Sequence, residues 1–250
     1  MCMIDGHPDL FKPLPTERAP VKPWRPRPLE NHEWADRDYI GLYKWRVEML
    51  EKLRADPDML TDAKAYYAKH PKEFICHWLD TYNPRLKRSK WVPFVLFRRQ
   101  ADFIDFLEEL RRDNESGLVE KCRDVGASWL GCAYSVWTFS FIKDDATGWG
   151  SRKEDLVDKR GDPDSLFEKM RLLINRMPDV FRPPAGHAFM KLVNKENGAT
   201  VTGEAGDNLG RGGRKSRYFV DESAHIERAE LIEASLGDNT EVRIDMSSVN

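Results

Sequence analysis

The residue types best suited to chemistry lie in two short stretches. The first is Lys121-Cys122-Arg123-Asp124-Val125-Gly126-Ala127-Ser128. A glycine followed two positions later by a serine, between a short strand candidate and a long apolar run, can form a turn whose backbone N–H groups and helix N-terminus hold an anion such as phosphate. The common pattern is G-x-x-x-x-G-K-S/T. It is met here at Gly126 and Ser128, while Lys121 stands at the first glycine and Ala127 at the usual lysine. Two cations, Lys121 and Arg123, lie close enough to replace the missing charge, and Ser128 falls where a hydroxyl would reach a divalent cation. Taken alone, the segment also reads as an ordinary strand–turn–helix. The second stretch is Tyr218-Phe219-Val220-Asp221-Glu222, an apolar strand candidate ending in two carboxylates. Of two such acids, the first can hold a metal ion and the second can orient and deprotonate a water molecule. Plain turn residues are the bland reading.

Elements able to position these groups follow from apolar periodicity. Leu118–Lys121 reads as a short strand ahead of the loop, and 127–142 as a helix apolar nearly all round, hence buried between layers. Gln100–Leu110 and Ser165–Arg176 have amphipathic helical spacing. Ala188–Asn194, Ala199–Gly203, Arg217–Val220 and Glu241–Met246 are strand candidates, whereas Gly148–Gly150 makes a poor strand end. Strands alternating with helices predict an α/β fold with a largely parallel sheet. Ahead of this core, Trp34–Arg54 shows a stripe of Tyr39, Leu42, Tyr43, Val47 and Leu50, and Ala63–Tyr67 and Pro71–Trp78 read as short helices. Prolines 8, 13, 15, 20, 23, 26 and 28 preclude a regular helix over residues 1–30, which read as an extended arm.

Composition sets outer limits. The 250 residues are 40% hydrophobic, enough for a sizeable core. Lys+Arg 40 nearly balances Asp+Glu 42, so a net charge of -2 gives no global pull toward nucleic acid, and any such contact must come from a local patch. Cys2, Cys76, Cys122 and Cys132 form no C-x-x-C pair and no zinc spacing with histidine, which favours a reducing compartment. The first ten residues carry Asp5, His7, Pro8 and Asp9 where a signal peptide needs an apolar run. The 127–142 run is too short for a membrane span.

With these segments in order, the sequence resembles a family. Lys121–Trp129 is similar to the variant phosphate loop of tailed-bacteriophage large terminase subunits, in which an early arginine often takes the role of the usual lysine; the resemblance puts Arg123 in that role here, with Lys121 in reserve. Pro93-Phe94-Val95-Leu96-Phe97-Arg98-Arg99-Gln100 resembles the family's adenine-binding segment, and Gly150-Ser151-Arg152-Lys153-Glu154 its second-strand exit. Leu209-Gly210-Arg211-Gly212-Gly213-Arg214 resembles the stretch that supplies an arginine finger to a neighbouring subunit. Ser247-Ser248-Val249-Asn250 resembles the start of the motif coupling hydrolysis to movement, and Phe74–Arg85 the family's N-terminal segment. The resemblance covers roughly residues 70–250.

That resemblance implies an ASCE-type P-loop NTPase: an α/β fold with a mostly parallel sheet flanked by helices. It divides the chain into a proline-rich arm (1–30), a small helical N-terminal subdomain (31–92) and an ATPase core (93–250). An RNase H-like nuclease domain is expected to follow in such a protein and to be absent here. The implied ligands are ATP and magnesium (Mg2+). Gln100, Lys121, Arg123, Asp124, Val125, Gly126, Ala127, Ser128 and Trp129 would bind ATP, with Gln100 reading the base edge. Ser128 and Asp221 would hold the metal, Glu222 would activate water, and Arg211, or else Arg214, would be the finger. Ser247 and Ser248 would couple hydrolysis to movement. The implied partners are double-stranded DNA, further copies in a homo-oligomeric ring (a pentamer in the family), the portal protein and the small terminase subunit. The setting would be the host cytoplasm, transiently at the procapsid portal, with no membrane. Two rivals stay open: a helicase-like translocase built on the same core, and a non-catalytic DNA-binding or scaffold domain with a degenerate loop. His225 reads as structural, Trp129 and Trp137 as core, and Lys87, Arg88 and Lys90 as a solvated basic run.

Overall fold

The structure is a computed structural model, and it describes residues 38–122, 125–227 and 229–248. The proline-rich arm therefore lies outside the described residues. Three helices come first: α1 (Tyr39–Ala55), α2 (Pro57–Tyr67) and α3 (Pro71–Trp78). Their starts are legible chemically. Asp38 accepts the Gly41 N–H at 2.7 Å, Asp56 accepts from Asp58 and Met59 at 3.0 Å each, and Pro57 and Pro71 stand at the first helical position, where a missing N–H costs nothing. The buried face of α1 differs from the expected stripe. Leu42, Arg46 and Leu53 are buried, whereas Tyr43 and Val47 are exposed. The reason is Arg46, whose guanidinium is neutralised by Asp80 at 2.7 Å and donates to the Leu79 carbonyl at 2.9 Å. A buried cation paired through both terminal nitrogens turns the helix away from its purely apolar stripe.

A two-stranded antiparallel hairpin follows, β1 (Asp80–Tyr82) with β2 (Trp91–Pro93). Then come α4 (Arg98–Asp113), β3 (Gly117–Lys121), α5 (Ala127–Phe141), β4 (Ala146–Ser151), α6 (Glu154–Val157) and α7 (Leu166–Arg176). The chain continues through β5 (Ala185–Ala188), β6 (Lys191–Asn194), β7 (Thr200–Ala205), β8 (Arg217–Asp221), α8 (Ala229–Asn239) and β9 (Arg243–Ser248). The main sheet has the order β3-β9-β8-β4-β7-β6-β5, parallel from β3 to β7 and antiparallel over β6 and β5. The expected single strand Ala188–Asn194 is thus the turn and second arm of a hairpin. Its break falls at Met190, a non-glycine residue at φ 50°, where the left-handed backbone ends one strand and starts the next.

Helices cover both faces of the sheet. Alternation along β8 shows this directly: Phe219 belongs to the large core with α5 and α7, whereas Tyr218 and Val220 face the other way onto Ile232 and Leu236 of α8. The large core also takes in Leu53, Ala63, Tyr67 and Phe74, so the helical N-terminal part and the sheet share one apolar cluster. Helix α5 is buried along most of its length, as its unbroken apolar character requires.

Strand β4 is central in spite of its two glycines. A methyl on Gly148 would lie 2.3 Å from Tyr218 Cδ2, and one on Gly150 would lie 1.8 Å from Leu209 Cδ2. The glycines are there because large neighbours occupy the space beside the strand, which local propensity cannot register. Gly148→Ala is expected to lower the unfolding free energy by about 1–3 kcal/mol, the usual cost of overpacking, read from a urea midpoint. An unchanged midpoint would mean that Tyr218 has room to yield.

Candidate active site

The three strands that matter are neighbours, in the order β3, β9, β8. Being parallel, they end on the same edge of the sheet, the edge where ligands of open α/β sheets bind. In register, Lys121 at the end of β3 pairs with Ser248, and Asp221 at the end of β8 pairs with Met246. The phosphate-loop segment, the acidic pair and the two serines, far apart in sequence, therefore meet at one place.

The loop turns into α5 at Gly126, whose φ of 81° places it in the left-handed region that glycine occupies without penalty. Among the described residues no side chain caps α5, so the N–H groups of its first turn can meet an external acceptor. A negative charge there also gains from the helix dipole. Gln100 braces the approach. Its Nε2 donates to the Val125 carbonyl at 3.0 Å, and its Oε1 accepts the Phe97 N–H at 3.3 Å, satisfying one free donor at the start of α4. One of its two amide hydrogens is thus spent on the loop. Arg123 and Asp124, the middle of the loop, lie outside the described residues, as do Val249 and Asn250.

At the centre is Lys121. Its Nζ lies 3.2 Å from Ser128 Oγ, 3.0 Å from Asp221 Oδ1 and 3.4 Å from Glu222 Oε1. Ser128 Oγ in turn donates to Asp221 Oδ2 at 2.8 Å. The Lys121 and Asp221 side chains are each 11% exposed, and Glu222 is 33% exposed. An ammonium held between a serine hydroxyl and a carboxylate marks a set of oxygen donors suited to a cation. Magnesium is commonly held by one or two carboxylates together with water and phosphate oxygens, rather than by an all-protein cage. Ser128 and Asp221 fit that role. The described residues contain no cluster of three or more His, Cys, Asp or Glu side chains to offer a different metal site.

Glu222 has φ 58°, a conformation that costs a non-glycine residue on the order of 1–3 kcal/mol and persists only where surrounding contacts enforce it. The Ala224 N–H donates to Ser247 Oγ at 3.2 Å, and His225 Nε2 lies 3.6 Å from Glu222 Oε2. The turn bearing Glu222 is therefore fastened to the end of β9 through Ser247, and the carboxylate is flanked by Lys121 on one side and His225 on the other. Ser248 sits beside Lys121 in the sheet.

Sequence reasoning gave Lys121 the reserve role, whereas the structure puts its charge at the meeting point of Ser128, Asp221 and Glu222. A strand residue can be read as solvent-facing or site-facing, and only the register decides. Lys169 of α7 was missed altogether. It is buried, 5.8 Å from the Trp129 ring, and it donates to the Asp164 carbonyl. Burial holds its amine below the usual lysine range, while the nearby Cys132 and Asp221 act in the opposite direction. No motif marks a cation that arrives from a neighbouring helix. Trp137 is fully buried as expected, but Trp129 is only partly so, with its ring edge-on to Trp91 at 6.1 Å. Arg211 and Arg214 stand exposed on the segment between β7 and β8, outside this cluster. Lys87, Arg88 and Lys90 are exposed between β1 and β2. Among the described residues no helix is long and apolar enough to cross a membrane.

A strand, a glycine turn and a buried helix thus lie beside an acid-ended strand, in an α/β fold whose mostly parallel sheet is covered by helices on both faces. No protein-family model matches the sequence, and no curated protein matches it. Among solved structures, the chain is similar to the large terminase ATPase domain of Thermus phage P74-26, at 16% identity and a TM-score of 0.41. A point mutant of that domain aligns at 16% identity and a TM-score of 0.39, and both alignments cover 54% of this chain and 59% of the other. The large terminase of a thermophilic bacteriophage, in complex with ADP, aligns at 12% identity and a TM-score of 0.43, over 60% of this chain and 38% of that one.

Proposed function

We propose that this chain is the ATP-hydrolysing motor domain of a viral DNA-packaging terminase. The observation that carries the hydrolytic part is the convergence of Lys121, Ser128, Asp221 and Glu222 at the mouth of an uncapped helix. The first N–H groups of α5 receive the phosphates, and Lys121, with Arg123, supplies the charge that Ala127 lacks. Magnesium held by Ser128 and Asp221 would neutralise charge developing on the phosphate oxygens. Glu222 orients a water molecule in line with the γ-phosphorus and takes its proton as the new P–O bond forms and the bond to ADP breaks. Ser247, bonded to the turn that bears Glu222, is placed to carry a change at the γ-phosphate into β9. Arg211 acts on the site of a neighbouring copy in a ring.

The DNA-moving part rests on the ordered resemblance of the segments around this site, and double-stranded DNA, the portal protein and the small terminase subunit are its partners. The experiment is magnesium-dependent ATP hydrolysis across protein concentration, with and without double-stranded DNA. The rate is expected to rise more steeply than linearly with protein and to be stimulated by DNA. If no nucleotide bound at millimolar ATP, a scaffold domain with a degenerate loop would be the better reading, and Ala127 would be its signature.

A further inference from the structure

The segment Leu209–Arg214 is rich in glycine, exposed at its tip and without regular structure, which ordinarily describes a mobile loop. Its contacts say otherwise. The Glu204 carboxylate, buried at 9% exposure near the end of β7, accepts the Gly210 N–H at 2.5 Å through one oxygen and the Gly212 N–H at 2.7 Å through the other. The first of these oxygens also accepts the Tyr218 hydroxyl at 2.9 Å. On the far side Asn239 Nδ2 donates to the Gly210 carbonyl at 2.9 Å, and Leu209 is fully buried against Tyr218, Ile232 and Leu236. A side chain at residue 212 would not fit, since a Cβ there would lie 2.0 Å from Glu204 Oε1. Hydrogen bonds to an ionised acceptor are roughly twice as strong as neutral ones, and here two of them flank a single residue, Arg211. Arg214 lies beyond the second anchor and past Gly213.

We propose that Glu204 is a positioning residue that holds the Arg211 backbone rigid, so that the exposed guanidinium is presented ready to meet the nucleotide phosphates of a neighbouring copy. This rests on the reading of Arg211 as the residue acting between copies. A cation ordered before contact loses less conformational freedom when it engages than one on a mobile loop. The clamp favours Arg211 of the two arginines: both of its flanking glycines are bonded to the Glu204 carboxylate, whereas Arg214 lies outside that pair, between Gly213 and Lys215, whose N–H donates to the Asn239 carbonyl at 3.1 Å.

The test uses the whole chain with Glu204→Gln, and with Tyr218→Phe as a milder variant that removes one of the three donors while leaving the carboxylate. Amide exchange at Gly210 and Gly212 is expected to be slow in the parent chain, faster by about tenfold in Tyr218→Phe, and faster by about a hundredfold in Glu204→Gln. Magnesium·ATP affinity should stay unchanged in Glu204→Gln while turnover at high protein concentration falls about 10- to 100-fold, part of the ~10³–10⁵ that an inserted arginine contributes in other NTPases. Adding Glu222→Gln protein, whose own site is disabled but whose Arg211 is intact, should restore turnover at the Glu204→Gln sites. The double variant with Arg211→Ala should be no slower than Arg211→Ala alone. Fast exchange at both amides in the parent chain, or loss of nucleotide affinity in Glu204→Gln without rescue on mixing, would overturn the proposal. Full activity in Arg211→Ala would instead refute the underlying reading, and slow parent exchange would still show that the clamp exists.

Discussion

Glu222→Gln is expected to reduce ATP turnover by ~10²–10⁴-fold, the range for removing a general base, while the chain continues to bind magnesium·ATP. The amide keeps the size and hydrogen-bonding reach of the carboxylate but cannot accept a proton. Asp221, which with Ser128 would hold the cation, is untouched, so binding and catalysis should separate cleanly. The backbone supports this division of labour. Asp221 is buried and still within the strand, whereas Glu222 is the first residue past it, in a left-handed conformation and more exposed. Paired measurements of steady-state hydrolysis and nucleotide affinity check the prediction. Unchanged turnover would remove Glu222 from the chemistry.

The second large effect belongs to Lys121. Lys121→Met removes the only described cation in ion-pair contact with both Asp221 and Glu222. Turnover should fall by ~10²–10³-fold, as when one preorganised electrostatic group is lost from a reaction site, and nucleotide affinity should fall with it. Lys121→Arg should restore part of the loss, because the charge returns but the compact ammonium does not. The comparison that discriminates is with Arg123→Ala. The position of the Lys121 ammonium, beside the serine and the acids, predicts that Lys121→Met is the more damaging of the two. A larger loss in Arg123→Ala would return the leading role to the arginine.

What could be read from the sequence, and what could not, divides along physical lines. The buried helix at 127–141, the acid-ended strand and the alternation of strands with helices were legible, because each is a local pattern whose period or composition reflects burial. Pro71–Trp78 was legible to the residue because proline fixes its start. Strand β4 was obscured because its glycines serve Tyr218 and Leu209, contacts made across long separations in sequence. The buried face of α1 was misjudged because Arg46 is paired by Asp80, and pairing between distant residues leaves no trace in a hydropathy pattern. The site follows a similar division. The types and order of its residues were visible, but the central position of Lys121 depends on β9 lying between β3 and β8, and the anchoring of the Arg211 segment depends on the chain folding back onto Glu204 at the end of β7, which no local period marks.

The Lys121–Asp221 cluster is proposed as a magnesium–nucleotide site. Its most direct test is a calorimetric titration of the chain with a non-hydrolysable ATP analogue, with and without magnesium, alongside Lys121→Met. One binding site per chain is predicted, strengthened by magnesium and severely weakened in Lys121→Met. Equal binding with and without the metal, or equal binding by Lys121→Met, would contradict it.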